Sequence, residues 1–131
     1  MVVIDTKKDP RTGQELVWTH NGTRNSGRTV IDVAQQAEML GAGEIVVNSI
    51  DNDGKMKGYD LALARSVRQA VSIPISLLGG AGSLADIKAL IETCGVVGAA
   101  AGSLFVFKGP YKAVLINYPA PRKKDELFYS L

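Results

Sequence analysis

Two apolar runs that end in small residues and lead into helical segments constrain the fold of this chain most. The first is Leu77-Leu78-Gly79-Gly80-Ala81-Gly82-Ser83, and Ala99-Ala100-Ala101-Gly102-Ser103 follows about twenty residues later. Strands that end in this way present backbone N–H groups to an anion. In a (β/α)8 barrel, the loops after the last two strands build a phosphate site in this manner. The two runs therefore predict a phosphate-binding edge on an α/β sheet.

Short apolar runs alternate with helical periodicity along most of the chain. We predict strands at residues 2–4, 45–47, 73–77 and 96–101, and helices at 29–40, 61–67 and 84–91. Continuous apolar strands between helices are typical of a parallel sheet. The 131 residues suffice for one domain, whereas a closed eight-stranded barrel needs roughly 250 residues. The pattern fits half of a (β/α)8 TIM barrel or a small doubly wound sheet equally well.

The remaining segments complete a single domain over residues 1–131. Residues 6–28 are expected to form a loop excursion with a hairpin strand at 15–19. Final helical material is predicted at 105–108 and 111–117, and residues 118–131 form a polar C-terminal tail. Because a strand begins at residue 2, we expect that an upstream half has been lost.

Composition and charge narrow the classes of partner. A formal net charge of +2 is too small to indicate binding to nucleic acid or to an anionic membrane. We expect no signal peptide, and no apolar run approaches 18 residues, so the cytoplasm is the expected compartment. Cys94 is the single cysteine and is interpreted as a structural residue at a helix end. No cofactor is predicted, and no metal site, because the loop from Asp51 to Gly54 lacks the glutamate that closes a calcium loop.

Polar and small residues follow the predicted strands. Ligands of α/β folds bind at the carboxyl ends of the strands, so one shared site is expected. Its candidates are Asp5, Asn48, Ser49, Asp51, Asp53, Gly79, Gly80, Gly102 and Ser103. For Asp51, a structural role and a functional role are equally expected. Asp53 is expected to face a ligand, and His20 is expected to be a surface residue.

A dinucleotide-binding fold is the competing interpretation of the same glycines. Gly80-Ala81-Gly82-Ser83-Leu84-Ala85 matches the pattern G-x-G-x-x-A between a strand and a helix. That fold also requires an acidic residue at the end of the next strand, where this sequence has Gly102 and Ser103. The phosphate edge is therefore the preferred interpretation.

Several linked motifs resemble the cyclase subunit of imidazole glycerol phosphate synthase, the HisF family. The resemblance extends to about Lys108 and corresponds to strands 5 to 8 of that family's (β/α)8 barrel. Its motifs are Val2-Val3-Ile4-Asp5, Gly41-Ala42-Gly43-Glu44-Ile45, Ser49-Ile50-Asp51-Asn52-Asp53-Gly54, Gly58-Tyr59-Asp60, Gly79-Gly80-Ala81-Gly82 and Ala101-Gly102-Ser103.

The resemblance implies a lyase-type cyclase of histidine biosynthesis. A glutaminase subunit supplies ammonia, which reacts with phosphoribulosyl formimino aminoimidazole carboxamide ribotide to give imidazole glycerol phosphate and an aminoimidazole ribotide. The resemblance makes Asp5 the catalytic carboxylate, which acts as a general acid. It also makes Glu44 a charged gate where ammonia enters the barrel. One phosphate is assigned to Asp53, Gly54, Gly80 and Ser103, with Asn48, Gly79 and Gly102 completing the substrate site. The base aspartate of strand 1 and the second phosphate site belong to the absent half.

Two departures and the chain end point to another branch of the family. Asn48 stands where a threonine is usual, and Leu78 where a serine is usual. The segments 102–109 and 113–119 resemble a paralogous branch that amidates an acetamido sugar, with glutaminase-derived ammonia, for lipopolysaccharide and other surface polysaccharides. A third hypothesis is an inactive half-barrel that only binds phosphate. In each case the unpaired sheet edges predict association with the missing N-terminal half or with a second copy of this chain.

Overall fold

Strands and helices alternate over residues 1–95 and 97–130, the part of the chain that the computed structural model describes. The strands are β1 (Val2–Lys8), β2 (Glu15–Thr19), β3 (Arg24–Thr29), β4 (Ile45–Ser49), β5 (Ile75–Leu78), β6 (Gly98–Ala99), β7 (Phe107–Lys108) and β8 (Ala113–Val114). The helices are α1 (Val30–Met39), α2 (Leu61–Ala70), α3 (Leu84–Cys94), α4 (Ser103–Val106) and α5 (Pro121–Tyr129). Six strands form one sheet in the order β3-β2-β1-β4-β5-β6, and β7 pairs with β8.

The parallel part of the sheet confirms the predicted α/β class. β1 pairs with β4, β4 with β5 and β5 with β6, all in parallel. The three helices predicted between these strands are present as α1, α2 and α3. The last parallel strand is shorter than predicted, and Val96, where it was expected to begin, lies outside the described residues.

An antiparallel edge makes the sheet mixed, so the expectation of a purely parallel sheet is wrong. β2 pairs antiparallel with both β1 and β3. This pairing extends β1 to Lys8, beyond the predicted end at Ile4, because Thr6 faces Val17 and Lys8 faces Glu15. β3 was not predicted, since its exposed sequence Arg-Asn-Ser-Gly-Arg-Thr has little strand propensity and depends on its partner.

The core lies on one face of the parallel strands. The inward residues of β1, β4 and β5 are buried with residues of α1, α2 and α3, and they include Ile4, Ile45, Val47, Ile75, Leu77, Val30, Ala34, Leu63, Ala64, Val67 and Leu90. The alternate positions Val3, Val46, Ser76 and Leu78 form what we call the open face, where Val3 is 56% exposed. Strand alternation therefore separates a face covered by helices from a face with partial exposure.

Side-chain caps define the starts of the three long helices. Thr29 accepts a hydrogen bond from the Asp32 amide at the start of α1, and Asp60 accepts one from Leu63 at the start of α2. Ser83 forms a capping box with Asp86 at the start of α3. These caps satisfy amides that have no partner within the helix, which explains why the helix starts were predictable from sequence.

The C-terminal segment differs most from its prediction. The helical material expected at residues 111–117 is wrong, because this segment turns back as β8 on β7. The Leu115 amide donates to Val106 O at 2.9 Å and the Asn117 amide to Phe105 O at 2.8 Å, which extends this hairpin. In the tail, Pro121 occupies the first turn of α5, where its missing N–H costs no hydrogen bond.

The described residues contain neither a membrane-spanning helix nor a metal-binding cluster. None of their helices is both long and apolar enough to cross a membrane. Across residues 1–95 and 97–130, no group of three or more His, Cys, Asp or Glu side chains is placed to hold a metal ion.

Removal of the fully buried Leu90 side chain tests how α3 is held to the sheet. Leu90→Ala is expected to lower the free energy of unfolding by about 2–5 kcal/mol, because it leaves a cavity beneath α3. The matched control Leu40→Ala removes a side chain that is 81% exposed and should change it by less than about 0.5 kcal/mol. Urea unfolding measures both, and equal effects would contradict the assigned core.

Glu15 gives a pH dependence to the edge of the sheet. Burial raises the pKa of Glu15 above its ordinary value of 4.5, although the Thr6 hydroxyl donates to its carboxylate at 2.8 Å. The folded chain then holds this proton more tightly than the unfolded chain, so ionised Glu15 lowers stability as the pH rises above 4.5. Glu15→Gln should therefore stabilise the fold at neutral pH more than at acid pH. Urea unfolding at neutral pH and at acid pH measures the free energy of unfolding of each variant. The exposed control Glu126→Gln should show no gain in stability at neutral pH.

Candidate active site

Two adjoining cavities lie at the carboxyl ends of the parallel strands. The glycine cavity is lined by Asp53, Gly54, Leu78, Gly79, Gly80, Ala81, Ala101, Gly102 and Ser103. The carboxylate cavity has a volume of about 260 Å³ and is lined by Asp5, Asn21, Gly22, Asn48, Ile50 and Asp53. Asp53 lines both cavities, so the two cavities share a wall.

The glycine cavity is built by close packing of two backbone segments. Gly79 and Gly80 have φ values of +100° and +108°, which L side chains rarely adopt. A Cβ on Gly79 would lie 2.5 Å from Ser49 O, and one on Gly80 would overlap Gly58 O. The Gly58 amide donates to Gly80 O at 2.8 Å, which joins the two segments. Glycine is therefore required at both positions for the β4–α2 loop and the β5–α3 loop to meet.

Backbone amides supply the hydrogen-bond donors of the glycine cavity. Within the described residues, the amides of Gly54, Gly102 and Ser103 donate to no other group of the chain. The Asp53 amide is already used, because it donates to Ser49 O at 3.0 Å. The cavity holds only about 10 Å³, space for roughly one water. A phosphate held by these amides would therefore lie at the cavity mouth.

Tyr59 fixes the strand end beside the glycine cavity. Its hydroxyl donates to Ala100 O at 2.7 Å, just before the cavity residues Ala101 and Gly102. Burial, together with the nearby charge of Asp86, raises the pKa of Tyr59 to about 12, so the hydroxyl keeps its proton at neutral pH. The sequence analysis gave Tyr59 no role, since a tyrosine before a helix has many structural uses.

The carboxylate cavity brings together the predicted Asp5 and Asn48. The two residues are direct partners in the parallel pairing of β1 with β4, and Asn48 Nδ2 donates to Asp5 Oδ1 at 2.9 Å. Asn48 Oδ1 is buried and has no hydrogen-bond partner in the described part of the chain. The Asp5–Asn48 pair therefore contributes to the lining of the carboxylate cavity.

The hairpin between β2 and β3 supplies cavity residues that the sequence analysis missed. Asn21 and Gly22 have φ values of 57° and 72°, and the turn places them against the carboxylate cavity. An Asn-Gly pair is a strong hairpin-turn signal. It could have located the turn, but its closeness to Asp5 depends on the antiparallel pairing of β2 with β1.

Other predicted residues lie away from the two cavities. The Asp51 carboxylate accepts the Lys8 amide at 2.8 Å, which supports its structural role. Glu44 precedes β4 at the amino end of the strands and accepts the Ser76 hydroxyl at 2.9 Å. His20 is exposed, as expected, in the β2–β3 turn. Cys94 is the last residue of α3, and burial raises the pKa of its thiol.

A mainly parallel sheet with amide donors and a paired carboxylate at its strand ends defines an α/β protein, and in this fold class ligands bind at that edge. A family model described as "Histidine biosynthesis protein" matches residues 1–112. The chain belongs to this family, as the sequence motifs predicted.

This chain matches only part of the length of its curated relatives. The "Putative imidazole glycerol phosphate synthase subunit HisF" of Leptospira interrogans is 51% identical over 129 residues, which are 98% of this chain and 51% of the relative. The Leptospira borgpetersenii protein of that name is 49% identical, over 98% of this chain and 50% of the relative. The "Imidazole glycerol phosphate synthase subunit HisF" of Limosilactobacillus fermentum is 42% identical over 82% of this chain and 41% of the relative. The chain spans about half the length of the curated relatives that it matches.

The glycine contact gives a direct test of the cavity. Gly80→Ala should lower the free energy of unfolding by at least about 2 kcal/mol, because alanine adds both backbone strain and an overlap with Gly58 O. The matched control Gly43→Ala meets nothing within 4 Å and should cost less than about 0.5 kcal/mol. Urea unfolding compares the two, and a harmless Gly80→Ala would show that the two loops do not meet as described.

Proposed function

We propose that this chain is a (β/α)4 half-barrel, equivalent to strands 5 to 8 of a HisF-type (β/α)8 barrel. Support comes from the sheet, whose helices cover one face and leave the open face partly exposed, as the interior of a barrel half would be. The single domain covers residues 1–131, with the excursion at 6–28 and the tail at 118–131 as appendages. Its natural complement is an N-terminal half-barrel that supplies the other strands.

The proposed reaction is the ammonia-dependent cyclisation of phosphoribulosyl formimino aminoimidazole carboxamide ribotide to imidazole glycerol phosphate. The observation that carries it is the Asp5–Asn48 pair beside the glycine cavity, at one end of the sheet. Asp5 acts as the general acid. The amides of Gly54, Gly80, Gly102 and Ser103, together with Gly79 and the Asp53 side chain, surround one substrate phosphate.

The ammonia path would enter from the other end of the strands. Glu44 lies at their amino end, where its carboxylate is bound by the Ser76 hydroxyl of the open face. A glutaminase partner docked at that end would release ammonia into the barrel interior, toward Asp5 at the opposite end. Glu44 is therefore proposed as the gate, and the partner as the nitrogen source.

A second candidate is amidation of an acetamido sugar for surface polysaccharide, again with glutaminase-derived ammonia. Leu78 favours it, because this residue belongs to the lining of the glycine cavity and stands where the cyclase family usually has a serine hydroxyl. Without that hydroxyl, the site suits an acceptor other than the histidine intermediate.

The isolated chain is expected to have little or no turnover. Acid and base catalysis each contribute about 10²–10⁴-fold, and this chain offers Asp5 without the partner carboxylate of strand 1. The third hypothesis, a phosphate-binding half-barrel without activity, describes this state.

Reconstitution tests the reaction. The chain is mixed with the N-terminal half of the Leptospira interrogans relative, and ammonia-dependent turnover of the ribulosyl substrate is measured. Asp5→Asn should lower turnover by about 100-fold or more, whereas the exposed control Asp32→Asn should leave it unchanged. An assembled barrel that binds phosphate but does not turn over this substrate would overturn the cyclase proposal in favour of sugar amidation.

The open face predicts self-association of the isolated chain. Light scattering should show a dimer or larger assembly, because Val3, on the open face, is 56% exposed and a second copy could cover it. Val3→Lys should shift the chain toward the monomer, since it places a charge on that face. Met39→Lys, at a site on α1 that is 86% exposed, is the matched control and should not. A monomeric wild-type chain would contradict the half-barrel proposal.

A further inference from the structure

The turn between β2 and β3 is held in a defined shape beside the carboxylate cavity. His20 and Asn21 have φ values of 54° and 57°, in the left-handed region that few residues other than glycine adopt. The Thr23 hydroxyl donates to His20 O at 2.7 Å, which closes the turn. A Cβ on Gly22 would lie 3.0 Å from Ile50 Cδ1, so the turn also packs on the loop after β4. These contacts fix the position of Asn21.

Asn21 brings a side-chain amide to the carboxylate cavity. The residue is exposed, takes no part in the hydrogen bonds of the turn, and belongs to the cavity lining together with Asp5 and Asp53. An asparagine amide both donates and accepts hydrogen bonds, whereas an ionised carboxylate only accepts them. The Asn48 amide donates to Asp5 Oδ1 at 2.9 Å, which leaves Asp5 Oδ2 for a ligand. The cavity therefore offers donors and acceptors together.

Hydroxyl groups match this combination. A hydroxyl donates one hydrogen bond and accepts up to two, so it can donate to a carboxylate and accept from the Asn21 amide at the same time. The carboxylate cavity of about 260 Å³ has room for a short chain of such groups, whereas the glycine cavity of about 10 Å³ has not. Because Asp53 lines both cavities, the two ends of a phosphorylated sugar chain can occupy them together.

We propose that Asn21 is a specificity-determining residue that binds hydroxyl groups of a phosphorylated sugar chain. The phosphate lies at the mouth of the glycine cavity, and the hydroxyls lie in the carboxylate cavity between Asn21 and the carboxylates of Asp5 and Asp53. This inference rests on the proposed function and names the part of the substrate that the β2–β3 turn recognises.

Two phosphate compounds that differ in their hydroxyls test this without turnover. Nitrogen-15 NMR titrations of the full chain compare glycerol 3-phosphate with propyl phosphate, which has the same charge and three carbons but lacks both free hydroxyls. The backbone amides of the glycine cavity report the affinity for each compound. The chain should bind glycerol 3-phosphate about tenfold more tightly, the worth of one to two net hydrogen bonds.

Two variants of the turn separate recognition from folding. Asn21→Gly removes the amide, and glycine adopts the left-handed conformation freely. It should reduce the preference for glycerol 3-phosphate to about twofold or less and leave the affinity for propyl phosphate unchanged. Asn21→Asp also tolerates this conformation, and it should lose the preference because it replaces the donor by an acceptor. The matched control His20→Gly changes a neighbouring left-handed residue that lines neither cavity, and it should keep the full preference.

The outcomes also separate this inference from the proposed function. Equal affinities of the wild-type chain for the two compounds, or a preference that survives in Asn21→Gly, would overturn the role of Asn21 and leave the phosphate site intact. Binding of neither compound at the glycine cavity would reject the phosphate site and the inference with it.

Discussion

The parallel pairing of β1 with β4 determines the position of every group in the candidate site. The pairing sets Asp5 opposite Asn48 and Thr6 opposite Ser49. Because side chains alternate between the faces of a strand, a shift of one residue would move Asp5 to the face packed against the helices. That shift would bury a carboxylate without a partner, while Ile4 would leave the core. The hydrophobic core therefore enforces the register that the chemistry needs.

Close backbone packing extends this constraint to the phosphate edge. Gly79 and Gly80 allow the loop after β5 to touch the backbone at Ser49 and Gly58. The loop after β4 carries Asp53, which belongs to both cavities. The Tyr59 hydroxyl then fixes the end of β6 through Ala100. Donors and acceptors are thus gathered on adjacent sides of one region by main-chain contacts rather than by long flexible side chains.

Local signals were sufficient for the parallel strands and for the helices between them. Buried apolar runs, together with the caps Thr29, Asp60 and Ser83, identify these elements without tertiary information. The residues that follow the strands also predicted most of the cavity lining. Asn21 was missed, because its place in the site depends on the β2–β3 hairpin folding over β1.

Tertiary pairing decided the elements that sequence could not predict. β3 consists of polar and flexible residues, so only its pairing with β2 makes it a strand. Residues 111–117 have apolar positions compatible with a helix, but Lys112, with a φ of 48°, closes a turn that returns the chain along β7. In both segments, hydrogen bonds to a neighbouring strand outweigh the intrinsic preference of the residues.

The central claim is that backbone amides at the strand ends of this chain bind phosphate. Titration of the nitrogen-15-labelled chain with inorganic phosphate, followed amide by amide, tests it most directly. The account predicts saturable shifts concentrated at Gly54, Gly80, Gly102 and Ser103. Shifts confined to the basic residues Arg122, Lys123 and Lys124 of α5, with no response at the glycine cavity, would contradict it.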